Sequence, residues 1–148
     1  MGGTAGYSGT PLDRKLGLRP GMRVRLQLGP GPAEDEAATY WDRFGAELDP
    51  STFRLLEEDS PEPADFTHLF ARTPGELRDG LARIRDGMAT DGMVWVSWPK
   101  KSSALASEIS RAEVMAEGHR AGLVDVKVCA VDEDWSGLKF VIPVADRR

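Results

Sequence analysis

A chain of 148 residues with 24 acidic and 19 basic side chains, net charge −5, has room for one domain with a substantial core. Its 41% apolar and 29% charged content is that of an ordinary folded chain, and the lack of a basic run argues against a nucleic-acid surface. The single cysteine, Cys129, excludes an internal disulfide and a cysteine-rich zinc site, and it fits a reducing, cytoplasmic setting. No apolar stretch approaches the ~20 residues of a membrane span, and the first residues show neither a signal-peptide core nor a myristoylation pattern.

Taken in chain order, residues 1–9 are glycine-rich and read as a flexible arm, with 10–148 forming one domain. Thr10 and Pro11 open a short helix that Gly17 stops. A turn at Leu18-Arg19-Pro20-Gly21 leads into a strand over Met22 to Leu28. Val24, Leu26 and Leu28 alternate there with Arg23, Arg25 and Gln27. A strand covered on both faces should be apolar throughout, so we expect solvated arginines on a poorly covered face; the alternative is that they line something.

Gly29-Pro30-Gly31-Pro32 is a loop, followed by a helix over Glu34 to Ala46, a strand over Thr52 to Leu56 and an acidic loop over Glu57 to Ala64. Asp65 to Ala71 is a strand. Thr73-Pro74-Gly75-Glu76 is a capping box, and Leu77, Leu81, Ile84 and Met88 mark one face of the helix that follows. Asp91-Gly92 turns into a strand over Met93 to Trp98, and Lys100 to Ser107 is loop. Ser110-Arg111-Ala112-Glu113 is a second capping box, opening a helix that runs to about Ala121, with Gly122 as its stop. Strands over Val126 to Val131 and Leu138 to Val144, joined through Asp132 to Gly137, form a closing hairpin. Strands alternating with helices predict an α/β fold with a mainly parallel sheet and a C-terminal antiparallel hairpin.

Several stretches carry a resemblance. Leu18-Arg19-Pro20-Gly21, the strand after it and Gly29-Pro30-Gly31 are similar to the opening of class I methyltransferases, which use S-adenosylmethionine. Met88 to Val96 is similar to their fifth-strand segment, and Ala121 to Val126 to the approach to their sixth. More closely, the chain resembles a family of short bacterial proteins of unknown function. The signatures are Tyr7-Ser8-Gly9-Thr10-Pro11-Leu12, Leu16-Gly17-Leu18-Arg19-Pro20-Gly21, Trp95-Val96-Ser97-Trp98-Pro99-Lys100-Lys101 and the run Gly122 to Lys139. The resemblance implies a trimmed methyltransferase-like Rossmann sandwich and no assigned activity.

Departures from working methyltransferases bear on the cofactor. Gln27 stands near the position of their first-strand carboxylate. Gly29 and Gly31 remain as cofactor-binding candidates, but Pro32 and Ala33 follow, and proline removes an amide donor from the loop. Glu34, Asp35 and Glu36 then satisfy the helix dipole and repel a carboxylate ligand. These departures argue against S-adenosylmethionine as cofactor.

Other candidate residues sit at strand ends. Glu57, with Glu58 as its alternative, is placed to hold ribose hydroxyls, although a solvated acidic loop explains both as simply. Trp98, Lys100, Lys101 and Ser102 follow a parallel strand, at the sheet edge where such folds bind ligands; the ammonium groups suit a phosphate or carboxylate and the indole suits a ring. The plainer reading is a solvated loop over a packed tryptophan. Trp135 is a candidate partner anchor, or else folds back onto the sheet, and Tyr7 belongs to an arm that closes over the sheet or reaches a second subunit. The carboxylates Asp132, Glu133 and Asp134 match no calcium loop, so no metal is expected. Cys129, His68 and His119 complete no catalytic arrangement.

The favoured reading is therefore a non-catalytic methyltransferase-like domain, monomer or homodimer, that binds a protein partner or a small anionic ligand. The alternatives are a methyltransferase with a divergent glycine loop and an enzyme acting on a phosphorylated or carboxylated small molecule at the Lys100/Lys101 edge.

Overall fold

The computed structural model describes residues 16–19, 21–27, 54–57, 60–100, 109–130 and 135–147. Within them run β1 (Arg23–Gln27), β2 (Arg54–Leu56), β3 (Ala64–Phe70), α1 (Pro74–Gly87), β4 (Met88–Pro99), α2 (Arg111–Arg120), β5 (Val124–Ala130) and β6 (Trp135–Val141), followed by a 3-10 turn at Val144–Asp146. The strands form one sheet in the order β2-β1-β3-β4-β6-β5. The first four are parallel, and β6 runs antiparallel to both β4 and β5. The α/β sandwich with a closing hairpin is thus present. The expected helix over Glu34 to Ala46, the body of the helix before Gly17 and the Asp132–Asp134 loop lie outside the described residues.

Local chemistry sets the helix ends. Thr73 Oγ1 accepts the Glu76 amide at 3.1 Å, and Pro74 occupies the first turn, where no amide hydrogen is needed. The reciprocal bond differs from the expected box: Glu76 Oε1 accepts from the amide of Arg72 at 2.8 Å, one residue upstream of the cap. α2 shows the full box, with Ser110 Oγ accepting the Glu113 amide and Glu113 Oε1 accepting the Ser110 amide. At its other end Gly122 adopts φ +87°, and the amides of Gly122 and Leu123 bond back to His119 and Gly118. Leu123 is buried, which completes a Schellman stop.

Several boundaries differ from the sequence reading. Met88 is buried but begins β4 instead of ending α1, and β4 starts five residues before the expected Met93. The predicted turn at Asp91-Gly92 lies inside a register shift, where Ala64 pairs with Met88 but Phe66 with Met93. A Cβ on Gly92 would stand 2.8 Å from the Ala64 carbonyl oxygen, so the close backbone approach calls for glycine. β6 runs from Trp135 to Val141, three residues earlier than expected, because Trp135 pairs with Pro99 and is buried there.

The two faces of the sheet carry separate cores. α1 and α2 cover one, where Leu77, Leu81, Ile84 and Val114 pack with Leu69, Val94, Val96, Trp98, Leu138 and Phe140. The other holds Val24, Leu26, Phe66, Phe70, Trp95 and Trp135 under Leu16 and Leu18. Trp95 Nε1 donates to the Leu16 carbonyl at 2.7 Å and pins that segment down.

The solvated-arginine reading of β1 is overturned at Arg25. Arg25 is only 4% exposed. Its guanidinium donates to the carbonyls of Glu57 (3.3 Å), Gly87 (3.0 Å), Ser60 (2.8 Å) and Glu62 (2.6 Å). The end of α1, rich in unpaired carbonyls, and the loop between β2 and β3 are thus tied to β1 by one side chain. Arg23 forms a two-pronged pair with Asp65 at 3.0 Å on each prong.

Candidate functional site

From β1 the chain moves outward to β2 and then returns to β3 on the other side, so the strand order reverses at β1. The crevice beyond the carboxyl ends of β1 and β3 is where open α/β sheets take their ligands. Gln27, the last residue of β1, stands there beside Leu69 of β3. It is 5% exposed, and its Oε1 is buried without a hydrogen-bond partner among the described residues. An unmet buried acceptor costs about 1–3 kcal/mol, a cost that most buried polar groups avoid by pairing.

Glu57 follows β2 directly with its side chain exposed, while its carbonyl is held by Arg25. Trp98 belongs to the core beneath α1 and α2, with its indole packed rather than presented for stacking. Lys100 lies one residue beyond β4, half-buried. Trp135 folds back on the sheet: its ring meets Phe70 edge-on at 5.0 Å and lies under the Arg72 guanidinium at 5.2 Å. Gly29, Gly31, Lys101, Ser102 and Tyr7 lie outside the described residues. Around the crevice the fold therefore gathers Gln27, Arg72, Lys100 and Trp135, with Glu57 on its far side.

A second polar feature lies deeper. His68 and Ser97 are fully buried, with Nε2 and Oγ 2.7 Å apart, and the imidazole stacks on Phe70 at 4.3 Å. Burial pushes the His68 pKa down to about 3, which keeps the ring neutral. A Ser-His contact resembles a nucleophile with its base, but here no described surface reaches it. It satisfies two polar groups inside a core. Neither this pairing nor the Arg72–Trp135 contact is legible in the sequence. The only signal is that His68 shares the parity of Phe66 and Phe70, and the strand register needed to bring Ser97 alongside is tertiary. At the surface, His119 Nε2 meets Asp125 Oδ1 at 2.7 Å.

Among the described residues no group of three His, Cys, Asp or Glu side chains is placed to hold a metal ion, and no helix is long and apolar enough to cross a membrane.

The sheet order, the switch point and the antiparallel hairpin define a methyltransferase-like Rossmann domain. Solved structures agree. A TehB-like SAM-dependent methyltransferase from Corynebacterium glutamicum superposes with a TM-score of 0.55 at 11% identity, over 93% of this chain and 90% of that one. An O-methyltransferase from neocarzinostatin biosynthesis gives 0.54 at 13% identity, over 80% and 49%. A structure described as a pericyclic reaction enzyme gives 0.55 at 14%, over 90% and 47%, so this chain spans about half the length of some of the proteins it resembles. At such identities the likeness concerns the fold alone. The model of the family described as protein of unknown function (DUF3052) matches residues 45–144, and the chain belongs to that family. No curated protein matches its sequence.

Proposed function

We propose that this chain is a non-catalytic methyltransferase-like domain that binds a small anionic ligand or a protein partner at the carboxyl edge of its sheet. The observation that carries the reading is Gln27. An amide at the end of β1 offers one hydrogen-bond acceptor but no charge to hold the ammonium end of S-adenosylmethionine. The cations Arg72 and Lys100 lie at the same edge and favour an anion instead. Pro32 and the run Glu34-Asp35-Glu36 point the same way in the sequence. The residues present do not fit the cofactor.

Titration of the full chain with S-adenosylmethionine by calorimetry tests this. No binding heat is expected up to roughly 1 mM, the weak end of ordinary substrate affinities, and saturable micromolar binding overturns the reading. That outcome would support an active methyltransferase with a divergent glycine loop, for which the exposed Glu57 beyond β2 is the supporting observation.

A further inference from the structure

The described residues enclose an open cleft of about 410 Å³ at the opposite, amino edge of the sheet, lined by Arg19, Gly21, Met22, Asp65, Asp91 and Met93. That volume suits a small molecule. Its lining carries both signs of charge. Asp91 and Asp65 belong to it, near the starts of β4 and β3, and Asp65 is already occupied by Arg23. Arg19 lines it too, and Lys139 of β6 stands near Arg19, just beyond that lining. A Cβ built on Gly17 would lie 3.2 Å from Met93 Sδ and 3.9 Å from Lys139 Nζ, so that ammonium stands beside the thioether that lines the cleft. Lys127 of β5 is directly across from Lys139 in the sheet.

This arrangement works against the fold. Like charges directly opposite on neighbouring strands are destabilising. Burial, Lys127 and Arg19 together lower the Lys139 pKa. Neither Arg19 nor Lys139 forms an ion pair with any described residue. In a chain of net charge −5, Arg19 in the lining and Lys139 beside Met93, neither ion-paired with a described residue, are a local conflict of the kind that marks a binding site.

We propose that the amino-edge cleft binds a phosphomonoester, with its phosphate between Arg19, Lys139 and Lys127 and the rest of the molecule along Met22 and Met93 toward Asp91. A phosphate monoester carries close to two negative charges and three acceptor oxygens, which matches this group of cations better than a carboxylate does. Asp91 repels a second phosphate and accepts from a hydroxyl or ammonium, so the body of the ligand bears a donor. The site is separate from the carboxyl edge and does not depend on the function proposed there.

The full chain is titrated with inorganic phosphate and with phosphoethanolamine at constant ionic strength, following the lysine ε-methylene NMR signals and thermal unfolding. The expected result is a saturable shift at Lys139 and a raised Tm with both probes. Tighter binding of phosphoethanolamine supports an ester with a donor on its body, and equal binding supports free phosphate in the same site. Lys139→Met is expected to weaken binding about tenfold or more while keeping or raising the Tm without phosphate, because it removes a half-buried charge from beside two others. Arg19→Gln, at an exposed position, repeats the test should the first variant fold poorly. Arg111→Gln, at an exposed position in the first turn of α2, leaves binding intact. Absence of a saturable shift, an equal shift with chloride, or unchanged phosphate binding in both Lys139→Met and Arg19→Gln overturns the proposal.

Discussion

Arg25 shows how one residue organises a region that its neighbours in sequence cannot. Four backbone carbonyls, from the β2–β3 loop and from the end of α1, converge on its guanidinium. Burial lowers the Arg25 pKa, but an arginine stays charged, and its planar fork is what reaches four acceptors at once. Arg25→Met leaves those carbonyls without their donor and is expected to cost about 3–5 kcal/mol, read as a fall in urea midpoint. Arg25→Lys should recover less than half of that, because an ammonium has three donors on a flexible stem. A loss under about 1 kcal/mol for either variant would show that the loop holds itself without this residue. The exposed pair Arg54–Glu62, at 2.7 Å, is a contrasting case, since ion pairs so open to water contribute little.

At the level of elements, packing of α2 on the sheet depends on a residue with no side chain. Gly118 lies in the last turn of α2, where alanine would still favour the helix, by up to about 1 kcal/mol. A Cβ there would overlap the ring of buried Phe140 in β6. Gly118→Ala is therefore expected to destabilise by about 1–3 kcal/mol despite its better propensity, with the loss partly restored in the double variant Gly118→Ala/Phe140→Leu. Thermal melts of the single and double variants check the coupling; additive losses would mean that the helix does not rest on that ring. The helix caps Thr73 and Ser110 could be located from sequence because capping is a local matter of a hydroxyl and an amide three residues on. The start of β4 could not be, because Met88 continues the spacing of the helix before it and only its pairing with Ala64 makes it a strand.

For the molecule as a whole, the buried His68 links stability to pH. Its pKa is lowered to about 3 in the fold, against an ordinary value near 6.5 in the unfolded chain. Below about pH 6.5 the unfolded chain takes up a proton that the native state refuses, so stability falls as pH falls, by roughly 1.4 kcal/mol per unit. Asp65 and Asp125, whose pKa values are lowered by Arg23 and His119, lose their contributions only below the usual carboxylate range, so among the described groups with a shifted pKa it is His68 that acts between about pH 6.5 and 4.5. Urea midpoints across that window should slope in the native chain and flatten in His68→Phe, at a lower plateau because Ser97 loses its partner. A flat native profile would show that the ring accepts a proton inside the fold.

Fold class, the order of the described elements and the helix caps follow from the chain alone, since periodicity, turn residues and capping hydroxyls act between neighbours in sequence. The amide at the end of β1 and the loss of the acid there were also legible, because they rest on residue type and strand position. Which side chains meet was decided only by the tertiary structure. The Arg25 cluster, the His68–Ser97 contact and the cations around the amino-edge cleft join residues from separate strands. Their proximity depends on sheet order and register, and those are set by the burial of both faces at once rather than by any local signal.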